Sequence, residues 1–169
     1  MTITRRQLLQ WTTVLSLASA VAVGINVSTW WNTDPEAPYV NLNLLEANVI
    51  NAVSGAAFPT GSTINLNGEQ AGLDRFFDEL LSSMPSENRT LLKLLLEAID
   101  RATIPTHAVH FTALTLENRQ RCLQQWLHNP SHLIRGAVQS LIVLLGMGYT
   151  SHPIASEHLS QYFRCGFGG

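Results

Sequence analysis

Charge is scarce in this 169-residue chain. Only 13% of its residues are Asp, Glu, Lys or Arg, and past the first few positions no block of one sign occurs. Ten basic residues stand against twelve acidic ones, a formal balance of -2; without Arg5 and Arg6 it is eight against twelve, or -4. So mildly acidic a surface gives no electrostatic reason to bind nucleic acid. Cysteine is scarcer still. Two residues, Cys122 and Cys165, cannot ligate an iron–sulfur cluster alone, and no Cys-x-x-Cys-His occurs for covalent haem. There is no Gly-x-Ser-x-Gly elbow, and the tail glycines do not stand between a strand and a helix as a nucleotide loop requires. No strand-period alternation persists and no internal repeat is evident.

The six histidines are poorly spaced for a metal. His107 and His110 share a Pro-flanked loop with no carboxylate or thiol near them in sequence. His128 and His132 are four apart, but Pro130 breaks the single helical face that such a pair needs. His152 and His158 straddle Pro153. All six read as surface or capping residues. Cys122 with His128, or Ser151 with His152, can be named as nucleophile and base, yet nothing marks either pair. Asp74, Asp78 and Glu79 beside Arg75 read as a solvated helix face. The sequence thus offers no catalytic, cofactor-binding or metal-binding residues of its own.

What is present begins at the N-terminus. Thr4-Arg5-Arg6-Gln7-Leu8-Leu9 precedes an apolar run, residues 8–25, without a formal charge. Basic residues ahead of an apolar segment are the layout of an export signal. Arg5 and Arg6, followed by Leu8 and Leu9, resemble the bacterial twin-arginine signal, which carries folded proteins. A plain secretory signal or a retained anchor stays open beside it. Ala18-Ser19-Ala20 and Ala20-Val21-Ala22 offer small-x-small cleavage patterns ending at Ala20 and Ala22. The run continues through Val23 and Ile25 toward Trp30-Trp31, and about 20 apolar residues span a bilayer. Dilution by Ala, Ser and Thr favours cleavage. The expected location is the periplasm or the periplasmic face of the inner membrane.

The hydrophobic fraction of 46% supports one helical domain over residues 42–162, after a signal or anchor (1–25) and a Pro-containing linker (26–41), and before a glycine-rich tail (163–169). Apolar residues at three- and four-residue steps predict helices over 44–58, 73–84, 87–102, 116–128 and 132–145, and Pro153 opens a short one to Tyr162. The expected fold is all-α, an irregular bundle of five to six helices. Leu91, Leu92, Leu94, Leu95, Leu96 and Ile99 make the third helix apolar on more than one side, which predicts a central place for it. Gly146-Met147-Gly148 is expected to stop the fifth, leaving Ser140 to Leu145 too short to cross a membrane. Cys122 and Cys165 leave three arrangements open: an internal bridge, a bridge from Cys165 to another chain, and two free thiols. An oxidising compartment favours the first.

With these features in order, the body resembles the gluconate 2-dehydrogenase subunit 3 family. Three segments carry the likeness. One is Leu45 to Val53 ending in Ala57-Phe58-Pro59. The second is Phe111 to Arg119 continuing to Leu123-Gln124-Gln125-Trp126. The third is the Leu133 to Leu145 helix followed by Tyr149-Thr150-Ser151-His152-Pro153. Cys165-Gly166-Phe167-Gly168-Gly169 departs from the family's usual C-terminal pattern. The resemblance implies a non-catalytic accessory subunit. It would bind, stabilise and co-export a flavin-dependent catalytic subunit of the glucose–methanol–choline type, with FAD in that partner and a cytochrome c subunit as a further one. Read from the helix pattern, Trp126, Leu141, Leu144 and Tyr149 are the candidate packing or partner-interface residues, with ordinary core as the alternative for each. The competing expectation is an independent membrane-anchored helical binding or structural protein of the cell envelope.

Overall fold

The computed structural model describes residues 35–61 and 64–162. The chain divides into two units, Met1–Asp34 and Pro35–Gly169, and every described residue belongs to the second. Among the described residues there is no strand. Six helices longer than two turns form the domain: α1 (Leu44–Ala57), α2 (Leu73–Ser83), α3 (Ser86–Arg101), α5 (Leu116–Leu127), α6 (His132–Ser151) and α7 (Pro153–Tyr162). A single turn, α4 (Ile104–His107), and a 3-10 turn (Phe111–Ala113) occupy the stretch between α3 and α5 expected to be plain loop.

Helix α1 is the centre of the bundle, packed against α2, α3, α5, α6 and the 3-10 turn. Its start is fixed by a capping box. Asn43 accepts from Glu46 N at 2.8 Å while the Glu46 carboxylate accepts from Asn43 N at 2.9 Å, so two otherwise orphaned amides are satisfied. Beyond that turn Ala47, Val49, Ile50, Ala52, Val53 and Ala56 are all buried. Small and β-branched side chains let neighbours close on it from several directions. Helix α3, expected to be central, lies to one side: Leu92, Leu96 and Ile99 face the core, whereas Leu91 is 62% exposed.

Past α1 the chain folds back so tightly that the Gly68 amide donates to Phe58 O at 2.8 Å. A Cβ on Gly68 would fall 2.0 Å from Ser54 O, a backbone atom that cannot step aside. The returning loop buries Leu66, whose carbonyl accepts from the Tyr149 hydroxyl at 2.7 Å, and Tyr149 stacks on Phe58 with ring centroids 4.5 Å apart. These contacts tie α6 to the C-terminal end of α1.

Helix α6 runs on through Gly146 and Gly148 to Ser151, past the stop its glycines predict. The cause is packing. A Cβ at Gly148 would lie 2.6 Å from Phe76 Cδ1 and 3.0 Å from Leu73 Cδ2, so the missing side chain is what lets α2 and α6 meet. Close approach of another helix overrides glycine's poor helix propensity of about 1 kcal/mol. At 20 residues α6 is long and apolar enough to cross a membrane by length and composition, unlike the shorter segment expected. Val138, Leu141, Leu145 and Tyr149 are nonetheless buried within the domain.

Candidate functional site

Arg5, Arg6, Leu8, Leu9, Ala20, Ala22 and Cys165 lie outside the described residues. The remaining candidates fall into two polar clusters and one apolar groove.

The first cluster overturns the solvated-face reading of α2 for Asp74 and Asp78, while Arg75 and Glu79 are exposed. Asp78 accepts the backbone amides of Val40, Asn41 and Leu42 at 2.9, 2.7 and 2.9 Å, and Tyr39 donates its hydroxyl to Asp74. The last part of the stretch read as linker is thereby strapped to the domain. Burial acts to raise the Asp78 pKa, but the three amides and the Lys93 charge outweigh it and hold it below the ordinary carboxylate value. Burial and the Asp74 carboxylate push the Tyr39 phenol up to about 12. Lys93 closes the strap, donating to Asn41 O at 2.5 Å and lying 3.2 Å from the Glu46 carboxylate, which is 1% exposed. Glu46 thus sits inside while its apolar neighbour Leu45 is 59% exposed, the reverse of what side-chain polarity alone predicts. The capping box and Lys93 stabilise that inversion.

The second cluster gathers around the turn between α3 and α5. His110 Nδ1 lies 2.8 Å from Asp100 Oδ2, and the other Asp100 oxygen accepts from Thr112 N and Oγ1 at 3.1 and 3.0 Å. The Cys122 thiol is 3.7 Å from His107 Nε2. Both histidines therefore have the carboxylate or thiol neighbour that the local sequence lacks, because folding brings α3 and α5 against their loop. Burial raises the Cys122 pKa, outweighing Arg121, so the thiol is held in its protonated, unreactive form. The other named pairs do not assemble: His128 Nδ1 bonds Gln124 O within its own helix, and the Ser151 hydroxyl donates to Met147 O. Among the described residues no three His, Cys, Asp or Glu side chains could hold a metal ion together. Glu97, buried on α3, has Arg101 Nη2 2.6 Å from Oε1, yet neither carboxylate oxygen has an aligned hydrogen bond. Its pKa is raised by burial, which outweighs Arg101.

The groove lies between α3, α5 and the first turns of α6. It encloses about 400 Å³, with Leu95, Ile99 and Ala102 on one wall, Leu133, Ile134 and Ala137 on the other, and Trp126 between them. Trp126 is half-buried against Phe111, centroids 5.6 Å apart. Leu144 is half-buried beside a shallower depression on the outer side of α6, while Leu141 and Tyr149 are 1% and 5% exposed. Of the residues that line the groove, sequence reasoning singles out Trp126 as partner-facing but not Leu133 or Ile134. Their signal is an apolar pair one residue past the Pro130-Ser131 helix start.

A small all-α domain with an apolar groove between α3, α5 and α6 is what this geometry defines among the described residues. The chain belongs to the gluconate 2-dehydrogenase subunit 3 family, whose model matches residues 45–169. The family's description is that of one subunit of a dehydrogenase, which implies association with the other subunits of such a complex. No curated protein and no solved structure matches the chain.

Proposed function

We propose that this chain is a non-catalytic accessory subunit that binds a flavin-dependent sugar or alcohol dehydrogenase of the glucose–methanol–choline type, stabilises it and escorts it out of the cytoplasm. FAD belongs to the partner, and electrons pass from it to a cytochrome c subunit or to quinone without using this chain. The observation that carries the reading is membership of a dehydrogenase subunit family over residues 45–169. Consistent with it, His128 and Ser151 bond within their own segments, and Cys122 is buried with its thiol pKa raised by that burial. Arg5-Arg6 ahead of an uncharged apolar run supplies the address, since the twin-arginine route moves folded cargo and a partner without its own signal can travel bound.

The test is Arg5→Lys with Arg6→Lys in the native cell, with both polypeptides followed by fractionation. The double substitution is expected to hold this chain and its flavoprotein in the cytoplasm together. Export of the flavoprotein at the unaltered level would overturn the escort role.

A further inference from the structure

Resting on that reading, we propose that the α3–α5–α6 groove is the seat of apolar side chains from the catalytic flavoprotein subunit. Helix α3 carries two apolar rows. Leu92, Leu96 and Ile99 face the core, whereas Leu91, Leu95, Ala98 and Ala102 recur at four-, three- and four-residue steps along a second face. A helix that is apolar on two faces needs two partners, and the domain covers only one. The opposite wall shows the same deficit. Ile134 is in register with the buried Val138 and Leu141, so it belongs to the core row of α6, yet it is 42% exposed; Leu133 beside it is 82% exposed. Core-type surface is therefore left open on both sides of a concavity.

Charge decides what fills it. All four charged side chains of the middle and end of α3 are engaged on its third face: Lys93 with Glu46, Glu97 with Arg101, and Asp100 with His110. The polar lining residue Asn129 has both oxygens occupied, Oδ1 by Ser131 N and O by Arg135 Nη1. A charged occupant would lose its hydration and meet no counter-charge, so the complementary surface is apolar. The small side chains of Ala98, Ala102 and Ala137 along the groove leave room for large ones, and Trp126 is of the type that anchors the centre of an interface. The outer face of α6 also exposes apolar residues, Val143 at 62% and Met147 at 57%, beside the shallower depression that it forms with Leu127 of α5, and it serves as the control.

The full-length chain is expressed in its native cell with p-benzoylphenylalanine in place of Leu133 or of Val143, and irradiated. Cross-linked partners are identified by mass spectrometry and by bound FAD. Position 133 is expected to cross-link to an FAD-containing polypeptide and position 143 not to. In parallel, Ala98→Arg, on the second apolar row of α3, is expected to lower co-purified flavin at least tenfold with no change in the thermal melt of the isolated chain, while Met147→Arg leaves it unchanged. Flavoprotein retained by Ala98→Arg and cross-linked from 143 overturns the groove and keeps the accessory reading. Cross-linking of position 133 to a second copy of this chain also overturns it. Failure of the unaltered chain to bring down any flavoprotein removes the accessory reading and the groove assignment with it.

Discussion

Replacing Lys93 by Met isolates the contribution of the strap. The methionine keeps most of the lysine stem and removes only the charge. In the native domain that charge lies 3.2 Å from a Glu46 carboxylate that is 1% exposed, and it also donates to Asn41 O. Removing one member of a buried ion pair costs roughly 3–5 kcal/mol, because the remaining charge is left without compensation. The Lys93 side chain is 23% exposed, so solvent already screens part of the interaction and the estimate falls to about 2–3 kcal/mol. For a domain of this size that lowers Tm by roughly 10 °C. Adding Glu46→Gln removes the stranded charge while its amide oxygen still accepts from Asn43 N. The double variant is therefore expected to recover to within about 1 kcal/mol of the parent. Urea unfolding of the parent, both single variants and the double variant closes the cycle. A Lys93→Met cost under about 0.5 kcal/mol, or a double variant no better than Lys93→Met alone, would refute the claim that Glu46 is held inside by this cation.

Two further outcomes rest on the same physics. Asp78 has a folded pKa below its unfolded value, so its stabilising effect is complete above the unfolded value and is lost as pH falls through the folded one. Tm measured down an acid series should fall below about pH 4, and Asp78→Ala should be less stable at neutral pH and flatten that part of the curve; an unchanged acid slope would contradict the strap. In a Cys165→Ser background, Cys122 is 5% exposed with a raised thiol pKa, so iodoacetamide should label it only after denaturation. Labelling of the native domain at the rate of a free thiol would show that the contact with His107 opens in solution.

The helices are legible in the sequence because their signals are local. Thr115, directly ahead of the apolar-periodic stretch that begins at Leu116, accepts from Asn118 N at the start of α5 as an N-cap threonine does. Asn43 and Glu46 form the capping box that opens α1. The end of α6 is not legible in the same way. Glycine's intrinsic preference argues for a stop at 146, and only the approach of Phe76 and Leu73 from another helix explains why the turn continues through 148. The polar clusters are hidden for the same reason. Asp100 and His110 are ten residues apart, Asp78 and Val40 thirty-eight, and no periodicity links them.

The groove marks the other limit. That α3 is apolar on two sides is visible in Leu91 to Ile99, but the pattern does not say which side a bundle will cover. A centrally placed helix and an edge helix with a partner-binding face have the same sequence signature. The structure separates them by giving the centre to α1, whose alanines and valines permit close contact all round, and leaving the second apolar row of α3, which starts at Leu91 and Leu95, at the margin. A leucine 62% exposed, on a helix whose nearby charges are internally paired, forgoes much of the roughly 1.5–3 kcal/mol that full burial of such a side chain contributes. In a subunit the same residue supplies a second surface. On the groove assignment proposed above, the exposed row of α3 and the uncovered start of α6 share one explanation, another chain seated between them.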